Sequence, residues 1–248
     1  MPLLYDKIGC NYSVGRRTDP EIARQLNLEL TGATRILNIG AGTGSYEPEG
    51  VPLVAVEPSL EMISQRGAGA HPVKQAFAEE LPFESKSFSH AMTVLSMHHW
   101  SNRKAAFDEI NRVATDRFVA ITWDPKSEPF WLTRNYFPEI YEIDKNIFPG
   151  LEEIEEHFDD VKVIPLLIPG ECEDGFLAAF WKRPDAYLSN EVRRSISSFS
   201  KIKQLSNGLQ RLAADIESGA WAEVNAHILQ SDSLDVGYRI VSARIKNS

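Results

Sequence analysis

The sequence predicts an α/β fold built on a doubly wound, mostly parallel sheet, and three observations carry that expectation. Short apolar runs of strand length recur between residues 35 and 122, stretches of helical period separate them, and a glycine-rich turn follows directly on the first run. Apolar runs bounded by Gly, Pro or polar residues suit strands buried on both faces, as the strands of parallel sheets are.

In chain order, residues 1–30 read as a polar, helix-forming arm, in which Asp19-Pro20 supplies an N-cap and a first-turn proline for a helix reaching about Leu30. Strands are expected at 35–38 (RILN), 53–56 (LVAV), 71–75, 90–94 (HAMTV) and 118–122 (FVAIT). Helical patterns lie between them: 59–66 carries Leu60, Met62 and Ile63, and 104–114 sets Ala106, Phe107, Ile110, Val113 and Ala114 on one stripe. Residues 126–148 are rich in aromatic side chains and, with the mostly helical stretch 175–230, read as cap insertions over the sheet edge. A helix at 151–158 and last strands at 161–168 and 234–245 complete a single expected domain over 1–248, with 35–122 as its ligand-binding core.

Composition narrows the function. With 248 residues, 43% of them hydrophobic, the chain can bury one substantial core. A net charge of -9 and an isoelectric point of about 5.2 disfavour phosphate backbones and anionic lipid, so no nucleic acid and no membrane partner is expected. Nothing approaches the roughly 18 apolar residues of a membrane span, and no signal-like start is present, which leads to a cytoplasmic expectation. Cys10 and Cys172 lie far apart without ligand-spaced neighbours, so neither a metal site nor a disulfide framework is expected.

The strongest chemical signal is Asn38-Ile39-Gly40-Ala41-Gly42-Thr43-Gly44, a turn whose bare positions let the backbone approach a ligand closely. Glu57 closes the next strand, where an acid accepts hydrogen bonds from ribose hydroxyls. The spacing is G-x-G-x-G, shorter than the G-x-G-x-x-G that cradles a pyrophosphate. An adenosyl ligand with an amino-acid tail therefore fits better than a dinucleotide, and a nicotinamide-dependent oxidoreductase lacks both its glycine spacing and a hydride-partner site.

Downstream stand Ala78-Glu79-Glu80-Leu81-Pro82-Phe83, then Ser87-Phe88-Ser89, Met97-His98-His99-Trp100 and Glu109-Ile110-Asn111-Arg112. In this order and spacing, residues 35–122 resemble the class I, Rossmann-like S-adenosylmethionine-dependent methyltransferases, in particular the type 11-like small-molecule group. The resemblance implies a mostly parallel seven-stranded Rossmann-like sheet and S-adenosylmethionine as cofactor. It implies that Asn38, Gly40, Ala41, Gly42 and Gly44 form the floor beneath the cofactor, that Glu57 holds the ribose, and that Pro58-Ser59 flanks the adenine. The Ala78 backbone would meet an adenine nitrogen, with Glu79 and Leu95 completing the cofactor set. Two departures stand out: Phe77 occupies the place of a common Asp, and residues 114–117 replace a Pro-Gly-Gly turn. Tyr5, Tyr12 and Arg16 resemble arm residues that fold over the cofactor, and Arg16 is expected to meet its carboxylate at two points, although a solvated arginine beside Arg17 is the plainer reading.

For such chemistry the protein mainly aligns the reactants. Where the acceptor must lose a proton, His98 and His99 are the candidate bases after the fourth strand; His98 is expected to face the methyl group with a pKa near 6.5. An imidazole that merely stabilises the turn is the alternative. Trp123, Trp131 and Tyr136 are expected to line a pocket for a small-molecule substrate, though such aromatics equally fill a second small core. A non-catalytic S-adenosylmethionine-binding or sensor protein is the other functional reading. The acceptor and the oligomeric state are left open.

Overall fold

A computed structural model describes residues 15–246. In chain order these form α1 (Pro20–Glu29), β1 (Ile36–Ile39), β2 (Leu53–Val56), α2 (Leu60–Ser64), β3 (Val73–Lys74), β4 (Phe88–Val94), α3 (Arg103–Val113) and β5 (Ala114–Trp123). Next come α4 (Trp131–Asn135), α5 (Pro138–Ile147), α6 (Leu151–Glu155), β6 (Asp159–Pro165) and β7 (Ile168–Pro169). The helices α7 (Asn190–Ser195), α8 (Leu205–Ser218), α9 (Ala220–Val224) and α10 (Ala226–Leu229) precede β8 (Ser233–Leu234) and β9 (Tyr238–Arg244).

The central sheet has seven strands in the order β3-β2-β1-β4-β5-β9-β6. β9 is antiparallel to both neighbours and the remaining pairings are parallel. Since β1 lies between β2 and β4, the crossovers leave it in opposite directions and open a crevice at the carboxyl ends of β1 and β4, where ligands bind in such sheets.

Strand alternation divides the core. On β5, Val119, Ile121 and Trp123 face the side covered by Ile22, Leu26 and Leu30 and by the cap, while Phe118 and Ala120 face Phe107, Ile110 and Val113 of α3. α1 is set by its first turn, where the Asp19 carboxylate accepts from the Glu21 and Ile22 amides, each at 3.0 Å, with Pro20 at the first helical position. The second Asp19 oxygen accepts from the Glu173 amide at 3.0 Å and ties this helix start to the segment entering the cap. Ile22 and Leu26 are fully buried, each contributing roughly 1.5–3 kcal/mol.

Three elements differ from expectation. Residues 114–117 are the first part of β5 and not a connection; Ala114 and Arg117 both pair with β4 across an irregularity between Phe88 and His90. The run at 161–168 divides: β6 ends at Pro165, the Leu166 amide still reaches Tyr238 O at 2.9 Å, and Ile168–Pro169 pairs with β8 in a separate ribbon. The run at 234–245 divides as well, its first residue falling in β8 and the rest of the strand beginning only at Tyr238 in β9. A parallel crossover usually contains a helix, but residues 40–52 form none.

The Asp19 cap yields a stability prediction. Asp19→Ala should lower unfolding free energy by about 1–2 kcal/mol with an unchanged denaturant slope, because cap and inter-segment acceptor are lost together. Urea denaturation measures this, and a change below about 0.5 kcal/mol would show that the cap does not anchor α1.

Candidate functional site

The crevice at the β1/β4 switch point holds a cavity of about 250 Å³. Its floor is the turn after β1, where Gly40, Gly42 and Gly44 have φ of 67°, 53° and 97°. The left-handed region explains the glycines. At Gly40 space is limiting as well, because a Cβ there would stand 2.4 Å from the Ser96 Oγ. That hydroxyl is itself fixed: Ser96 Oγ and Thr93 Oγ1 donate to the Ile39 carbonyl at 3.1 and 2.8 Å, fastening the end of β4 to the end of β1.

In place of a helix, side chains hold the loop. Glu57, buried at the end of β2, accepts from the Gly42 amide at 2.8 Å with one oxygen and from the Ser59 amide at 2.9 Å with the other. Arg66 donates to both Glu47 oxygens at 2.8 Å and to the Gly42 carbonyl at 3.3 Å, and Asn38 Nδ2 adds 3.1 Å to Glu47. The Arg66–Glu47 pair is almost fully buried, the circumstance in which a charge must be both paired and hydrogen-bonded. Gly44 does not line the cavity; a side chain there would press on the Arg66 guanidinium from 3.1 Å.

Of the residues singled out in the sequence, Arg16, Asn38, Gly40, Ala41, Gly42, Glu57, Pro58, Phe77, Ala78, Glu79, Leu95 and His99 line this cavity. Tyr5 and Tyr12 lie outside the described residues. Some roles shift. The two-point contact expected between Arg16 and a cofactor carboxylate is made with Asp174 instead, at 2.7 and 3.1 Å, because Asp174 is buried and needs a cation. Asp174 also accepts from the Tyr46 hydroxyl at 2.8 Å and the Arg17 amide at 3.3 Å. The Glu79 carboxylate caps the turn beyond the histidines, accepting from the Ser101 and Asn102 amides at 2.7 and 3.1 Å. Phe77 stands exposed at the rim.

The histidine expectation is corrected. His99, not His98, lines this cavity, while His98 lines an adjoining one with its ring stacked on Phe148 at 4.2 Å. Neither titrates near 6.5. Burial, then the charges of His99 and Lys201, hold His98 well below that value, and burial with Lys201 takes His99 down to about 4. The expected substrate aromatics are displaced too. Trp131 and Tyr136 are buried in the cap core, their polar ends spent on Trp181 O at 2.8 Å and Asp215 at 2.7 Å, and Trp123 donates to Val236 O. Trp123 lines a small cavity of about 20 Å³. Ser96, Tyr46 and Asp174 were missed by sequence reasoning; an isolated Ser, Tyr or Asp has no pattern that marks it.

The lining fits an adenosyl ligand bearing a sulfonium. It offers a glycine cradle, the Glu57 carboxylate and apolar walls from Pro58, Met62 and Phe77. No Lys lines it among the described residues, and the glycine turn runs into a loop and not a helix N-terminus, so the usual means of holding a pyrophosphate are missing. With Arg16 paired to Asp174, Glu57 and Glu79 leave the walls electronegative.

Comparison with known proteins agrees. Residues 37–117 match the family model described as a methyltransferase domain. A protein assigned as a methyltransferase of an antibiotic biosynthesis pathway in Anabaena variabilis is 33% identical, with a TM-score of 0.84, over 92% of this chain and 98% of that one. The chain spans less than half the length of the curated relatives it matches, 45% and 37%. One of these is 2-methyl-6-phytyl-1,4-hydroquinone methyltransferase 2 of Oryza sativa subsp. japonica, 28% identical over 134 residues, 50% of this chain. Phosphoethanolamine N-methyltransferase 2 of Haemonchus contortus shares the fold at 14% identity and a TM-score of 0.58, over 99% of this chain and 58% of that one.

The depressed imidazole has a consequence for stability. Folded His99 titrates at about 4 and an unfolded imidazole near 6.5, so the unfolded chain binds more protons in that window and this group removes stability as pH falls through it. Asp144 acts oppositely: burial raises it from 3.8 to about 6, so its penalty is relieved on acidification. Comparing wild type with His99→Gln separates the two. The variant should lose less stability between pH 7 and pH 5 in urea denaturation, whereas equal losses would place His99 in an ordinary environment.

Proposed function

The chain belongs to the class I S-adenosylmethionine-dependent methyltransferases, and on that premise we propose that it methylates a small-molecule acceptor that meets the cofactor beside Leu95. The observation that carries this reading is the cavity at the switch point, where cradle, carboxylate and apolar walls occur together and, among the described residues, no Lys lines the cavity and Arg16 is paired with Asp174. Glu57 would hold the ribose hydroxyls, the backbone at Gly40 and Gly42 would lie under the methionine portion, and Pro58 and Phe77 would pack on the adenine. When bound, S-adenosylmethionine supplies a methyl carbon made electrophilic by its sulfonium, with a neutral thioether as leaving group.

The chain's own contribution is alignment. Leu95, with φ of 50°, adopts a backbone conformation that costs a side-chain-bearing residue about 1–2 kcal/mol, and its amide is held to the Ile121 carbonyl at 2.9 Å. That strain turns the chain at the end of β4 so that Leu95 borders both the cofactor cavity and the adjoining one. Fixing a nucleophile in line there recovers much of the entropy of a bimolecular step. His99 is neutral at physiological pH, but a group titrating at about 4 is a weak base, which supports alignment over general-base catalysis.

Methyl-labelled S-adenosylmethionine incubated with the protein and a fractionated metabolite extract tests the proposal. Label should enter a low-molecular-weight acceptor with matching release of S-adenosylhomocysteine, and His99→Gln should lower turnover by less than about tenfold. Label recovered only in protein or nucleic acid would contradict the acceptor class, cofactor binding without turnover would favour a sensor, and a loss near 10³ in His99→Gln would restore the base.

A further inference from the structure

The cofactor cavity does not end at Leu95. Arg16 and Leu95 also border a second cavity of about 50 Å³, and Asp144, Phe148, Leu177 and Tyr238 are shared between that one and a third, whose lining includes Glu128. The Glu128 side chain is 90% exposed, so the lining of the third cavity includes a surface residue. The middle cavity has room for about four water-sized groups.

Asp144, on α5, is the acid of that cavity and is buried. Its oxygens accept from the Ser198 hydroxyl at 3.3 Å, a long bond shared between both. Lys201 attracts it through space, yet among the described residues no cationic nitrogen comes within 4.0 Å of the carboxylate. Such an acid is undercompensated, and its pKa rises to about 6 accordingly. Phe148, Phe176 and Tyr238 form aromatic walls around it, and the His98 Nδ1 atom is buried without a hydrogen-bond partner. The depressed pKa of His98 keeps that ring uncharged, so it does not serve as the missing counter-ion. An ammonium at this position would satisfy the carboxylate and meet aromatic faces. An anionic group would face a like charge, and a neutral hydroxyl would leave Asp144 uncompensated.

We propose that the second cavity is the acceptor subsite and that Asp144 anchors there the protonated amine of a slender, cationic acceptor. This rests on the cofactor reading above. The anchored ammonium carries no free electron pair, so the atom to be methylated is a different group of the same molecule, directed past Leu95 towards the cofactor cavity.

Small probes of one shape and different charge test the assignment: n-butylamine, 1-butanol and butyrate, titrated by ligand-detected NMR into the protein loaded with S-adenosylhomocysteine. Butylammonium should bind at least tenfold more tightly than either other probe, and Asp144→Asn should abolish that preference. Lys201→Met, which removes a competing cation at a half-buried position, should tighten butylammonium binding several-fold and serves if the Asn variant folds poorly. Equal affinity for the three probes, a preference for 1-butanol, or an amine preference that survives Asp144→Asn or is unmoved by Lys201→Met would overturn the proposal. Calorimetry on the same samples keeps the two readings apart. Failure of S-adenosylhomocysteine to bind removes the cofactor assignment, whereas its binding without amine preference removes only the subsite.

Discussion

The arrangement turns on one carboxylate. Glu57 joins the turn after β1 to the turn after β2 by accepting from Gly42 and Ser59, and no helix shares that task. In most parallel crossovers a helix packs on the sheet and its first turn fixes the loop. Here the loop stays in place because buried side chains replace that helix: Glu57 and Arg66 hold Gly42 from both its amide and its carbonyl, and Arg66 is itself braced by Glu47. A ligand that hydrogen-bonds to Glu57 therefore engages the group that shapes its own binding site.

A second junction sets what covers the site. Asp174 lies 158 residues from Arg16 in sequence and gathers the start of the described chain, the glycine loop through Tyr46 and the entry to the cap. Asp19 runs the connection the other way, from the start of α1 to the amide beside Asp174. Losing either acid would leave part-buried and buried donors without acceptors. Cap and switch-point cavity are thus mechanically linked, and Arg16 lines that cavity as a cation paired with Asp174.

Much of this was legible in the sequence, for identifiable reasons. Strands buried on both faces write themselves as uninterrupted apolar runs, and the glycine turn with an acid one strand later follows from what a bound nucleoside needs. The lack of a helix after β1 is itself written in the sequence, since Pro48, Gly50 and Pro52 crowd the segment where one would form. The role of the aromatic insertions was not legible, because Trp131 in a core and Trp131 in a pocket look identical until its indole is seen donating to Trp181 O. His98 and His99 were placed correctly in sequence, but their environment depends on Phe148 and Lys201, distant in the chain. Lone acids such as Asp144 and Asp174 acquire meaning only through burial.

Calorimetric titration of S-adenosylhomocysteine into wild type and Glu57→Gln tests the account at its centre. The amide retains size and can still accept from one backbone amide, so the variant should remain folded while losing roughly 1.5–3 kcal/mol of binding, a fall of about 10- to 150-fold in affinity. Undiminished affinity in a folded Glu57→Gln protein would contradict the role given to this carboxylate, and a wild type that bound NAD in preference to S-adenosylhomocysteine would contradict the reading of the cavity itself.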